Sequence, residues 1–303
     1  MIRNASSIRS RLRARLSGSR QGGSSVGNPG GLSSSGRIAL FVGSLFIGII
    51  LVFLFLSIVH TPYSPEEMNS AAKYASPSWA HWFGCDNFGR DILSRIMKGT
   101  QTTILISLSA ISIALLLGGL LGSAAGFLPG LSDMMLMQVS DAVMAFPGIL
   151  LALVFVAVYH PGPSTIILAL GIVFAPGYAR VIRSGIRQMK EREYILQAQI
   201  LGVRTPRLLF VHMLPGLIPQ LIPAVVIGIA NAALAEAGMS YLGLGIQPPN
   251  ASWGKMLADY QSDLFIAPWT VIWPSMFLIL FVLGLYFLSE ALRIRLDKGG
   301  TRR

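Results

Sequence analysis

Cysteine is almost absent. The single thiol, Cys85, excludes an internal disulfide and any cluster of thiolate ligands, so packing must hold this chain together. Charge is scarce as well: 12% of the 303 residues are Asp, Glu, Lys or Arg, about half of the roughly 25% usual in soluble domains. With 53% of residues hydrophobic, the balance excludes an ordinary soluble domain and implies a membrane protein. The phosphate-loop pattern Gly-x-x-x-x-Gly-Lys-Ser/Thr is missing, so no ATP-hydrolysing domain of that kind is carried here. His60, His81, His160 and His212 are dispersed with no pair at zinc-site spacing; His81 and Cys85 stand four apart, but two ligands lack a third. The chain is therefore read as a non-enzyme with no catalytic residue and no metal or cofactor of its own. The external loops are too short for a receptor domain, and no internal repeat is found.

What the chain has in abundance is long apolar runs. Ile38 to Val59 holds no charge over 22 residues, enough at about 1.5 Å per residue to cross roughly 30 Å of hydrocarbon. Further runs from Thr103 to Leu128, Met134 to Tyr159, Ser164 to Val181, Leu217 to Leu242 and Ala267 to Leu292 bring the expected spans to six. The expected fold is an all-α polytopic membrane protein, with a six-helix domain over 38–297. Lys and Arg cluster, with seven in the first 37 residues, seven between Arg180 and Pro215 and five after Leu292. An even number of spans puts those three segments on one side, and the positive-inside rule makes it the cytoplasm, with both termini inside. Clustering beside spans also explains the net charge of +11 without nucleic acid.

Residues 1–37, opening MIRNASSIRSRLRARLSGSR, are rich in Arg, Ser and Gly and contain no acid. Too little apolar surface is available to fold them, so they are expected to form a disordered basic cytoplasmic tail. A mitochondrial transit peptide shares the composition, but positive-inside orientation already accounts for it; a cleaved signal peptide is disfavoured by the length of the first apolar run. Residues 298–303 are expected to be a short cytoplasmic tail.

Within the spans, Gly118, Gly122 and Gly126 stand four apart and form a bare stripe on one helical face, as close helix packing requires. Lining a conduit is the alternative use of the same stripe. Pro147, Pro176 and Pro223 each delete a backbone donor and are candidate bends. Ionisable groups inside spans are costly and mark function or pairing. Asp141 is read either as the partner of Arg180 or Arg183 or as a pathway residue. Asn231 and Glu236 are read as interhelical hydrogen-bonding groups or pathway-lining ones, and Glu290 as a solvated partner of Arg293.

The stretch EREYILQAQILGVRTPRLLFVHMLP, from Glu191 to Pro215, stands out as polar-edged between apolar runs. Tyr194, Ala198 and Leu201 share a helical face, so a short amphipathic helix is expected over 190–201. Gly202 suits a left-handed cap. Thr205 offers an N-cap with Pro206 at the first helical position, beginning a second short helix that Pro215 closes. Such an elbow either lies on the lipid surface or is a knob offered to a partner.

These residues carry a resemblance. Ala198, Gly202, Leu214 and Pro215 fall at the spacing of the cytoplasmic signature of ABC importer permeases, although Leu196 and Gln197 replace its Glu and first Ala. HWFGCDNFGRDILSR, from His81 to Arg95, is similar to a motif of the dipeptide, oligopeptide and nickel permeases, with Cys85 where Thr is usual. VSDAVMAFPGILLAL, from Val139 to Leu153, and MSYLGLGIQPPNASWG, from Met239 to Gly254, resemble further segments of that family. The chain is thus identified as resembling the C-type permease subunit.

The resemblance implies a heterodimer with a related permease subunit, two ATPase subunits that bind ATP and Mg, and an extracytoplasmic binding protein, all at the bacterial cytoplasmic (inner) membrane. It also implies that 190–215 is the coupling region, with Tyr194, Ala198, Leu201, Gly202 and Pro206 meeting an ATPase. Glu236, within a pattern familiar in peptide systems, favours short peptides as substrate, with nickel or a metal chelate as the alternative. An ion-coupled secondary transporter ranks lower, since the repeated halves that such proteins use are not evident.

Overall fold

The computed structural model describes residues 34–128 and 130–300, so most of the expected basic tail and residues 301–303 lie outside the described residues. Helix α1, Ser34–Val59, begins four residues earlier than the first apolar run suggested. Helix α2, Ile92–Phe127, is followed by α3, Leu131–Met144, and α4, Gly148–Tyr159. Helix α5 covers Pro163–Lys190 and α6 covers Glu193–Ile200. A turn at Thr205–Arg207 and a π-helical segment at Leu208–Met213 lead into α7, Leu214–Tyr241. Helices α8, Trp253–Tyr260, and α9, Trp269–Gly300, complete the series, and no strand occurs among the described residues.

Five of these helices are long and apolar enough to cross a membrane, and α3 with α4 supplies the sixth span only as a pair bent by 84°. The third span breaks at Pro147, one of the three candidate bends, which has no N–H to offer to a continuing ladder and stands as the N-cap of α4. Pro176 and Pro223 behave differently: α5 and α7 run on through them. Near Pro223 two carbonyls gain side-chain donors, the Ser289 hydroxyl to Pro223 O at 2.8 Å and the Tyr178 hydroxyl to Ala224 O at 3.1 Å. Those bonds tie α7 to α9 and α5 beside the proline; the carbonyl left free by its missing N–H is that of Pro219, four residues earlier. Helix α2 also starts well before Thr103. Its 36 residues extend about 54 Å, against about 30 Å of hydrocarbon, so it projects beyond the membrane.

The pair α2 and α5 forms the centre of the bundle. A methyl group on Gly118 would lie 2.5 Å from Ala175 O, one on Gly122 would overlap the Ala179 backbone, and one on Gly126 would lie 3.0 Å from Ile186 Cβ. The bare stripe thus receives α5 at backbone distance, where dispersion contacts between whole backbones replace the hydrophobic effect that lipid cannot supply. Helix α9 packs on α7 and on α1, with Phe53 and Phe277 edge to face at 4.6 Å. Much of the outward surface is apolar, including Phe41, Phe55, Leu116, Leu120 and Ile279, as lipid contact requires.

Candidate functional site

One end of the bundle is built around α6. Its last turn ends in a Schellman motif: Gly202, at φ +75°, donates to Gln199 O, and Val203 N donates to Ala198 O. An L-residue rarely adopts that φ, which is why glycine stands here. The α6 residues Ile195 and Ala198 point inward and pack with Ile182, Ile186 and Met189 of α5 and with Leu208, Met213 and Leu217. Ala198 is 9% exposed. It is therefore part of this chain's own core, and the expectation of Ala198 as an outward contact is corrected.

The outward face is instead Ile200 and Leu201, 85% and 82% exposed, flanked by the half-exposed Tyr194 and Leu196 and by Phe210 and Val211 farther along. Pro206 is exposed in the turn after the cap. Two local expectations also shift. Arg204, not Thr205, is the N-cap of the following turn and makes no side-chain capping bond. Pro215 does not close a second short helix; it sits in the first turn of α7, where its missing N–H is tolerated, and the π-helical turn before it keeps the chain continuous.

Acids on α3 meet bases on α5 close to this elbow. Asp141 pairs with Arg180, one of its two expected partners. Arg183 goes elsewhere, to Asp133, with Nη2 to Oδ2 at 2.7 Å and Nε on the other oxygen, and Arg187 joins the same carboxylate. Lys190 donates to Phe127 O at 2.8 Å, closing the end of α2. Asp133 escaped the sequence reading, although it and Asp141 are eight apart, which puts both on one side of a helix. Glu290 and Arg293 form an exposed pair at 3.9 Å.

The opposite end of α2 is tied down by the motif from His81 to Arg95. Asp86 is wholly buried. Its Oδ1 accepts from Phe88 N and Arg90 N at 2.8 and 2.9 Å, and its Oδ2 accepts from Arg90 Nε at 2.7 Å and from the Tyr260 hydroxyl of α8 at 2.9 Å. Burial raises the Tyr260 pKa, which keeps the hydroxyl a donor. Asp91 caps α2, accepting from Ser94 N at 2.8 Å, and its other oxygen meets His81 Nδ1 at 3.0 Å. Gly84 and Gly89 turn at positive φ, and Trp269 Nε1 of α9 donates to Cys85 O at 3.3 Å. Cys85 is buried, and desolvation first, then Asp91 and Asp86, push its thiol up to about 11.

Nearby, Glu236 and Asn231 part company. Glu236 is 0% exposed, and its Oε1 accepts from the Ser240 hydroxyl at 2.7 Å and from the Ser252 hydroxyl at 2.8 Å. Ser252 is also the N-cap of α8, so the carboxylate fastens the loop from Met239 to Gly254 back onto α7. Gly254 lies against the Ala237 backbone, where a side chain would collide. Asn231 is exposed on another face of α7. Both hydroxyl bonds of Glu236 are made within this chain, while Asn231 and Asp141 lie on exposed faces.

Known proteins share this arrangement of sequence. Residues 118–299 match the family model described as "Binding-protein-dependent transport system inner membrane component". The chain is 37% identical to the dipeptide transport system permease protein DppC of Alkalihalophilus pseudofirmus, over 84% of each chain. It is 35% identical to the glutathione transport system permease protein GsiD of Pectobacterium atrosepticum, over 86% of this chain and 87% of that one. It is 34% identical to the oligopeptide transport system permease protein OppC of Bacillus subtilis, over 87% and 86%. An all-helical bundle of membrane-crossing length, a family match over more than half its residues and relatives aligned along nearly their whole length agree: the chain belongs to the inner-membrane permease components of binding-protein-dependent transport systems.

Proposed function

We propose that this chain forms half of the translocation pathway of an ATP-binding cassette importer for short peptides, paired with a related permease subunit. Two ATPase subunits, holding ATP and Mg, dock at the elbow, and an extracytoplasmic binding protein delivers the substrate. The observation that carries the docking assignment is the elbow's outward apolar face. Ile200 and Leu201 are the most exposed large apolar residues of the 191–215 stretch, on a helix whose opposite face is anchored in the core. A groove on a partner that covered them would remove apolar surface from water at about 25 cal/mol per Å². Peptides are favoured because relatives are named for dipeptide, glutathione and oligopeptide transport.

Replacing both residues, Ile200→Asp with Leu201→Asp, tests the docking. Neither side chain supports the chain's own core, so the amount in the membrane should stay at the wild-type level. Affinity for the ATPase should fall about thirtyfold, the loss expected when a central apolar anchor is exchanged for a charge. Undiminished co-purification of the ATPase with the double variant would remove the elbow from the interface.

Orientation follows from charge. Seven basic residues between Arg180 and Pro215, and five after Leu292, put the elbow and the C-terminus in the cytoplasm. A reporter active only outside the cytoplasm should be silent when fused after Arg303 and active when inserted at Asn250. Activity in the reverse pattern would invert the assignment and place the elbow where no ATP is available.

A further inference from the structure

Helix α3 is weakly held by apolar contact. Only Asp133, Met137 and Ser140 of its fourteen residues are buried, and the core cluster that reaches it is small, centred on Ala125, Met137 and Ala179. Its firmest attachments are ionic, from Asp141 to Arg180 and from Asp133 to Arg183 and Arg187. Helix α4 is attached differently. Ala152 and Val156 sit in an apolar cluster with Ile166, Ala169 and Leu170 from the other half of α5. The bend of 84° lies between these two kinds of attachment. The basic half of α5 is also the half on which α6 is packed, through Ile186 and Met189 against Ile195 and Ala198.

We propose that the ion pairs joining Asp133 and Asp141 to Arg180, Arg183 and Arg187 are a positioning device that passes movement of the elbow to the bent span. A displacement of α6 carries the end of α5 with it, because their shared core is apolar and close-packed. The arginines then draw α3 along, and the bend at Pro147 changes angle because α4 stays with the other half of α5. Coupling of this kind needs an attachment that differs between two states. The Asp141–Arg180 pair is half-exposed on both sides and can be re-formed with altered geometry at little cost, which a backbone-to-backbone glycine contact cannot do, while the largely buried Asp133 keeps hold of Arg183 and Arg187.

This inference rests on the docking of an ATPase at the elbow, so its test reads the two separately. An environment-sensitive thiol fluorophore is placed at Val158→Cys on α4 or, in a separate preparation, at Arg192→Cys beside α6, both sites being exposed. Buried Cys85 should not compete for the label. The complex with its ATPase subunits, in lipid nanodiscs, is trapped with ATP and vanadate, and the change in emission is recorded. Asp133→Asn and Asp141→Arg should each cut the change at Val158 about fivefold or more while leaving that at Arg192 intact. Adding Arg180→Asp to Asp141→Arg should restore the change at Val158. A merely structural pair would lower both signals through loss of folded complex. An undiminished Val158 response in both variants overturns the inference alone. Absence of any response at Arg192 in the unaltered protein overturns the docking reading and this inference with it.

Discussion

Asp86→Ala should destabilise the folded chain by about 3–5 kcal/mol, the range for removing one partner of a buried ion pair. Its carboxylate is wholly buried and accepts from two backbone amides, from Arg90 Nε and from the Tyr260 hydroxyl. Without it the Arg90 and Arg95 side chains, themselves buried, lose the acid around which they are arranged. No spare acceptor stands ready, since Arg90 Nη2 and Arg95 Nε already lack a hydrogen-bond partner. The consequence spreads because α2, α8 and α9 all converge on this segment, through Asp91, Tyr260 and Trp269. Tyr260→Phe deletes one neutral donor to the same carboxylate and should cost only about 1 kcal/mol. Thermal unfolding in detergent checks the order. Melting of Asp86→Ala at or above the Tyr260→Phe temperature would mean that the buried carboxylate does not hold this end of the bundle together.

Gly122→Leu should abolish the native α2 to α5 packing. Inserting a side chain into a filled interior typically costs about 1–3 kcal/mol when neighbouring side chains can move aside. Here the neighbour is the Ala179 backbone, which cannot yield without separating the two helices, so the loss should reach or exceed the top of that range. The adjacent glycine supplies an internal control. A methyl group at Gly119 would find its nearest neighbour, Ile182 Cδ1, at an ordinary 3.9 Å, so Gly119→Leu should be tolerated. The yield of monodisperse protein and its melting temperature distinguish the two. Equal behaviour of both variants would show that helix separation at the stripe carries no cost.

Several features of the elbow and of the α2 to α5 contact are legible in the sequence, and they share a cause. The stripe at Gly118, Gly122 and Gly126 is legible because glycine at spacing four has few uses in a span other than close approach. The cap at Gly202 is legible because few residues tolerate φ near +75°. The identity of the surface turned outward from α6 was not. Nearly every residue of 194–201 that is not Gln is apolar or small, so periodicity does not distinguish the face on the chain's own core from the face left open. Ala198 lies inward and Ile200 outward, a difference that their sequence context does not carry.

The amino-acid sequence by itself determined that this chain lives in a membrane, roughly where it crosses, which loops carry the positive charge and which glycines admit another helix. Those properties are local sums: hydropathy over about 20 residues, charge counts beside a span, a missing side chain. Only the tertiary structure decided that Pro147, and not Pro176 or Pro223, breaks its helix, with a bend of 84°, that Asp133 gathers Arg183 and Arg187 while Asp141 keeps Arg180, and that Glu236 closes onto Ser240 and Ser252. Each of those outcomes depends on which of several chemically equivalent partners packing brings within reach. Arg180 and Arg183 are indistinguishable as cations; the rotation of α5 against α3 chooses between them.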